Sequence, residues 1–241
     1  MRSMTDPELR LVLGDRLASV RTRIASACAR VGRNAGEVTL VAVTKTVSPR
    51  VAGLMPELGI ADLGENRPQE LWRKADALKH LPIRWHFIGH LQRNKVQPTL
   101  PLVHFIHSID SLRLAEAVAS EGKKLGIRPR VLLQVNASAE EQKHGFDFDE
   151  LARLETEFAR LPLEVVGLMT MAASADDPEA ARPTFAKLRA FRDRLNIAWK
   201  DLGPQLTQLS MGMSGDFEVA IEEGATIVRV GTTLFKGLEG E

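Results

Sequence analysis

The sequence predicts a single (β/α)8 TIM barrel with an extra N-terminal helix. Three observations carry that prediction. Eight apolar runs of strand length recur along the chain, each followed by turn residues and separated by segments with helical apolar spacing. The runs are continuously apolar rather than alternating, as strands covered on both faces are. The 241 residues suit eight βα units closed into a barrel. An open doubly wound sheet is the runner-up.

The elements follow in order. PELRLVLGDRLASVRTRIASACARVG places Leu13, Leu17, Val20 and Ile24 on one face and stops at Gly32, which makes it the extra helix. The strands are TLVAVT (39–44), IADLG (60–64), IRWHFIG (83–89), VHFIHSI (103–109), RVLLQVN (130–136), LEVVGLM (163–169), QLTQLSM (205–211) and ATIVRVG (225–231). Between them, SLRLAEAVASEGKKLG aligns Leu112, Ala115, Val118 and Ala119 and ends at Gly122 or Gly126. DPEAARPTFAKLRAFRDRLNIAW aligns Phe185, Leu188, Phe191 and Leu195. No Pro, Gly and Ser-rich stretch is long enough for a linker, so residues 1–241 are expected to form one domain, with about 1–5 flexible.

Composition narrows the function. Lys and Arg number 32 against 31 Asp and Glu, a net charge of +1, so no global field favours nucleic acid or anionic lipid, and a small-molecule ligand is expected. The single cysteine, Cys28, excludes an intramolecular disulfide and offers no zinc spacing. MRSMTDPELR lacks a signal-peptide core, and no run reaches the ~18 apolar residues of a membrane span. A cytoplasmic protein is expected.

Barrel enzymes place their chemistry where strands end. Here that rim carries Lys45, Gly64-Glu65-Asn66, Gly89-His90, Ser108-Ile109-Asp110, Asn136-Ala137-Ser138, Met169-Thr170-Met171, Ser210 to Ser214 and Gly231-Thr232-Thr233. Lys45, behind Val41 and Val43, is expected to be partly desolvated, which favours a neutral amine able to form a Schiff base; a snorkelling lysine is the simpler alternative. LSMGMSGDFEVAIEEGATIVRVGTT supplies a strand, a small-residue turn, a helix starting near Ser214 with Asp216 in its first turn, a stop at Gly224 and a last strand. Ser210, Ser214 and Thr232 offer hydroxyls and Gly212 and Gly231 bare backbone, the usual makings of a phosphate site in such barrels. Taken alone, GMSG is read equally well as capping of the helix by Ser214. An imine-forming lysine beside a phosphate site implies a phosphorylated aldehyde, which pyridoxal 5′-phosphate (PLP) or a sugar phosphate satisfies. Arg229 shares a strand face with Ile227 and Gly231, which puts its guanidinium within reach of a ring lying under the phosphate; against a pyridine nitrogen it would weaken the ring as an electron sink, and a barrel-lining arginine paired with a buried acid is the alternative.

Seven ordered motifs carry a resemblance over nearly the whole chain: LVAVTKTVSP, GENRPQEL, RWHFIGHLQRNK, SID, QVNASAEEQKHGF, VVGLMTM and LSMGMSGDFEVAIEEGATIVRVGTTLF. The chain resembles the pyridoxal phosphate homeostasis protein family, barrel proteins related to the N-terminal domain of alanine racemase. The resemblance implies that Lys45 forms the internal aldimine with PLP, that Asn66 lies near the ring, that Ser210 and the Gly231-Thr232 backbone hold the phosphate, and that Arg229 faces the pyridine nitrogen. Apart from the resemblance, Met211, Ser214 and His90 are further candidates for the pocket; Lys143 matches a family lysine implicated in handling the cofactor. Arg67 replaces the usual aromatic after GEN, and the FKGLEG ending departs from many relatives.

The resemblance further implies a homeostasis role: holding PLP, exchanging it and passing it to PLP-dependent apo-enzymes rather than turning over a substrate. Racemisation in the related racemases uses a tyrosine opposite the lysine, and the sequence has no tyrosine. A monomer is expected, without nucleic-acid or membrane partners. The rivals are a PLP-dependent racemase or other amino-acid enzyme, and a Schiff-base aldolase acting on sugar phosphates. His86 and His90 stand four apart on a strand-to-loop segment, which does not bring them together as a helix would, so no metal is expected.

Overall fold

The computed structural model describes residues 4–137, 144–173, 175–201 and 203–241. The chain opens with α1 (Asp6–Arg30) and then builds the barrel in the order β1 (Thr39–Val43), α2 (Pro49–Ala52), β2 (Asp62–Glu65), α3 (Pro68–Ala77), β3 (Arg84–Phe87), α4 (Val96–Thr99), β4 (Phe105–Ile109) and α5 (Leu112–Leu125). It continues through β5 (Arg130–Gln134), α6 (Phe148–Ala152), α7 (Glu155–Arg160), β6 (Glu164–Met169), α8 (Arg182–Ala198), β7 (Gln208–Ser210), α9 (Phe217–Glu222), β8 (Ile227–Val230) and α10 (Thr232–Phe235). The eight strands run parallel and close in sequence order, β8 pairing back onto β1 with Val41 beside Arg229. All eight lie inside the apolar runs read from the sequence except β2, which extends to Glu65.

Alternation along each strand separates two cores. Leu40, Ala42, Leu63, Trp85, Phe87 and Leu209 point outward and join the helices in one large apolar layer, whereas Val41, Phe105, Leu132, Met169 and Ile227 point inward and fill the barrel. α1 buries Leu9, Leu13, Leu17, Val20 and Ile24 and packs on α9 and α10. Arg23 fixes its position by a two-pronged pair with Glu218 at 2.8 and 2.7 Å, its guanidinium 4.5 Å from the Phe217 ring centre. Gly32, with φ +67°, ends the helix as expected: the Gly32 and Arg33 N–H groups fold back onto the Ala29 and Cys28 carbonyls.

Two local expectations change. On α5, Leu114 rather than Leu112 joins Ala115, Val118 and Ala119 in the core, and the helix ends at Gly126. The helix after β7 begins at Phe217, not near Ser214; Asp216 stands before its first turn, and its Oδ1 accepts the Met213 N–H at 2.6 Å, tightening the turn. Of residues 1–5, 1–3 lie outside those described; the Met4 N–H donates to Glu241 at 2.7 Å and the Thr5 N–H to Glu8 at 2.6 Å.

Candidate functional site

Lys45 reaches the rim because the residue before it is held facing the other way. Thr44 is fully buried, with its hydroxyl on Glu65 Oε1 and its carbonyl accepting from Lys74 Nζ, both at 2.6 Å. Strand alternation then turns Lys45 inward above Val43. The side chain is exposed to the mouth rather than partly desolvated as expected, because the rim is open above it. No ion pair or hydrogen bond engages it among the described residues.

Lys45 lines a cavity of about 560 Å3 at the C-terminal rim, together with Asn66, His90, Ser214, Arg229, Gly231 and Thr232. Val43, Ile88, Met171 and Met213 provide apolar walls. Asn66 is placed by close backbone packing: a Cβ added at Gly89 would sit 2.0 Å from the Asn66 carbonyl oxygen. Gln134 and His144 also line the cavity, with Gln134 Nε2 donating to the His144 carbonyl at 2.8 Å. Neither was expected from the sequence; Gln134, an inward polar position near the end of an apolar strand, carried the only signal.

One end of the cavity suits an anion. Ser214 Oγ accepts the Gly231 N–H at 3.2 Å and the Thr233 N–H at 3.3 Å, which leaves its own proton to donate. The backbone N–H groups of Ser214, Gly215 and Thr232 donate to no acceptor among the described residues. Gly212, with φ +94°, makes the turn that lifts this segment onto the rim, and a Cβ there would meet Ala220 Cβ at 2.6 Å.

Ser210, expected to hold the phosphate, is not among the residues that line the cavity. Ser210 ends β7 inside the barrel, fully buried, and its Oγ accepts from Arg229 Nη1 at 2.5 Å and meets His107 Nδ1 at 2.9 Å. Met211 points outward into the helix layer and does not line the cavity. Two residues of the rim turn separate Met211 from Ser214, which does line the cavity. Lys143 lies outside the described residues.

Arg229 is 4% exposed, donates also to the Thr170 carbonyl at 3.0 Å, and presents its remaining surface to the cavity. Burial pushes its pKa down to about 10 while the Asp216 charge pulls the other way, so the guanidinium stays charged at neutral pH. Burial raises the Asp216 carboxyl against the Met213 N–H and Arg229. At the opposite wall, His90 Nδ1 meets Asp110 Oδ2 at 2.9 Å and its ring stacks on His144 at 4.3 Å; His86, four residues earlier, turns into the barrel instead.

Comparison with known proteins places this geometry in a family. The model of the alanine racemase N-terminal domain matches residues 17–239. A pyridoxal phosphate homeostasis protein of Aquifex aeolicus is 45% identical over 222 residues, 92% of this chain and 96% of that protein. The chain belongs to the pyridoxal phosphate homeostasis protein family. Among solved structures, a protein of unknown function from Bifidobacterium adolescentis superposes with a TM-score of 0.89 at 38% identity, covering 97% of this chain and 98% of that one. PipY of Synechococcus elongatus, solved with PLP bound, superposes with a TM-score of 0.82 at 33% identity, covering 92% and 99%. The pyridoxal phosphate homeostasis family thus accounts for nearly the whole chain and for its closed barrel.

Proposed function

We propose that this chain binds PLP in the rim cavity, holds it as a Schiff base on Lys45 and releases it again, serving cofactor homeostasis rather than turnover. The observation that carries the reading is the meeting, in one cavity, of an unpaired lysine, a buried guanidinium and a cradle of free backbone N–H groups around Ser214. The residues fit the group: the cradle suits the phosphate, Val43, Ile88, Met171 and Met213 suit the faces of an aromatic ring, and Asn66 suits a polar ring substituent. When bound, the cofactor supplies an aldehyde that condenses with a lysine amine, with loss of one water.

The chain's own residues define the rest. Arg229 is a donor-only group that stays charged, so it favours an unprotonated ring nitrogen and disfavours electron-sink chemistry. An open rim leaves Lys45 accessible to water and to amines, which permits exchange with recipient apo-enzymes. A cytoplasmic monomer without nucleic-acid or membrane partners completes the proposal; among the described residues no helix is long and apolar enough to cross a membrane.

The test is an absorption scan after incubation with PLP, followed by borohydride reduction and peptide mapping. A visible band, and a pyridoxyl adduct on Lys45 that both vanish in Lys45→Ala, are expected. A colourless wild-type protein refutes the reading. Steady exchange of an amino acid's α-hydrogen in heavy water would favour the amino-acid enzyme instead.

A further inference from the structure

Five polar side chains on five strands join in a single file through the barrel. Asp62, at the bottom of β2, meets His86 Nε2 on β3 at 2.9 Å; His86 Nδ1 meets His107 Nε2 on β4 at 2.9 Å. His107 Nδ1 meets Ser210 Oγ on β7 at 2.9 Å, and Ser210 accepts from Arg229 Nη1 on β8 at 2.5 Å. His86, His107, Ser210 and Arg229 are each at most 4% exposed. The file runs from the bottom face, where Arg84 also pairs with Asp62, to the cavity at the top.

The ends dictate the protons. An ionised carboxylate only accepts, so His86 donates from Nε2; a guanidinium only donates, so Ser210 accepts from Arg229. With His86 neutral, its Nδ1 is an acceptor and His107 must donate from Nε2. His107 Nδ1 is then an acceptor, and it takes the Ser210 hydroxyl proton. Every link is satisfied once, and every donor points from Arg229 toward Asp62. The reverse arrangement would require cationic His86 and would leave the Ser210 proton without a partner. Burial, with the charge of Arg229, holds His107 neutral.

We infer that Ser210, His107 and His86 form a polarised chain linking the buried charge of Arg229 to the distant carboxylate of Asp62, with His107 as a positioning residue for the cavity arginine. Among the described residues no carboxylate is in hydrogen-bond contact with Arg229; its acceptors are Ser210 and the Thr170 carbonyl, and Asp216 acts through space. Aligned hydrogen bonds in a low-dielectric interior strengthen one another, so the chain steadies both the charge and the direction of the guanidinium. The consequence for PLP rests on the functional reading above; the proton arrangement does not.

The test therefore has two arms. In wild-type protein without PLP, long-range 1H–15N spectra of histidine-labelled samples at neutral pH should show both rings neutral and protonated on Nε2. A His107 protonated on Nδ1, or a cationic His86, overturns the chain whether or not PLP binds. In the second arm, Ser210→Ala and His107→Phe, checked for folding, should collapse the resolved Arg229 Nη signals, shift the visible band of the loaded protein and weaken PLP about tenfold. Unchanged Nη signals and an unchanged band overturn the positioning role. A wild type that never binds PLP removes the functional reading, leaving the Nη signals and the wild-type tautomers to decide the chain; should both variants fail to fold, the tautomers decide it.

Discussion

Lys74 on α3 and Glu65 at the end of β2 form an ion pair 2.6 Å long in which neither side chain touches solvent. The pair sits outside the barrel wall, yet it governs the mouth: the same Lys74 ammonium holds the Thr44 carbonyl, and the same Glu65 oxygen holds the Thr44 hydroxyl. Lys45 faces the cavity because this clamp takes the preceding residue the other way.

Breaking one side of the clamp strands the other charge. Lys74→Met should cost about 3–5 kcal/mol of stability, as removal of one partner from a buried pair does. Lys74→Met with Glu65→Leu should recover most of that loss, because no buried charge remains. Urea unfolding of both variants checks the stability, and PLP titration should show weakened binding in each, since Thr44 loses one anchor in the single variant and both in the double.

Ser214 should separate phosphate recognition from aldehyde chemistry. Ser214→Ala removes the hydroxyl that gathers the Gly231 and Thr233 N–H groups, so PLP affinity should fall about tenfold, roughly 1.4 kcal/mol. Pyridoxal, which lacks the phosphate, should bind both proteins alike. Equal losses for the two ligands would place the phosphate elsewhere.

Acid should weaken the fold in a window set by His107. Burial first, with the charge of Arg229 adding to it, holds its pKa well below the ordinary value. Below about pH 6.5 the unfolded chain takes up a proton that the native ring refuses, so stability falls with pH by up to about 1.4 kcal/mol per unit. His104, lowered by its own burial, adds to the slope. Denaturant unfolding between pH 7.5 and 5.5 should give a slope shallower by about one proton in His107→Gln; an unchanged slope contradicts the neutral ring.

Much of the site was legible because it hangs on strand ends. Lys45, Asn66, His90, Arg229, Gly231 and Thr232 each follow or close an apolar run, and the topology brings them to one cavity. The choice between Ser210 and Ser214 was not legible. Both sit in LSMGMS, and only the positive φ of Gly212 decides that the second is lifted onto the rim while the first stays inside. The polar file was half-visible: Asp62, His86, His107, Ser210 and Arg229 are polar residues within or bordering apolar runs, but they stand on five different strands.

By itself the sequence determined the eight strands, the extra helix and the lysine at the end of the first strand, since periodicity and turn residues act over a few positions of chain. Only the tertiary structure decided which hydroxyl gathers the Gly231 and Thr233 N–H groups, that Thr44 is clamped by Glu65 and Lys74, and that a file of hydrogen bonds joins Arg229 to Asp62. Those contacts join strands and helices at distances set by barrel closure. Hydrogen-bond geometry at 2.5–2.9 Å has no signature in the spacing of residues along a chain.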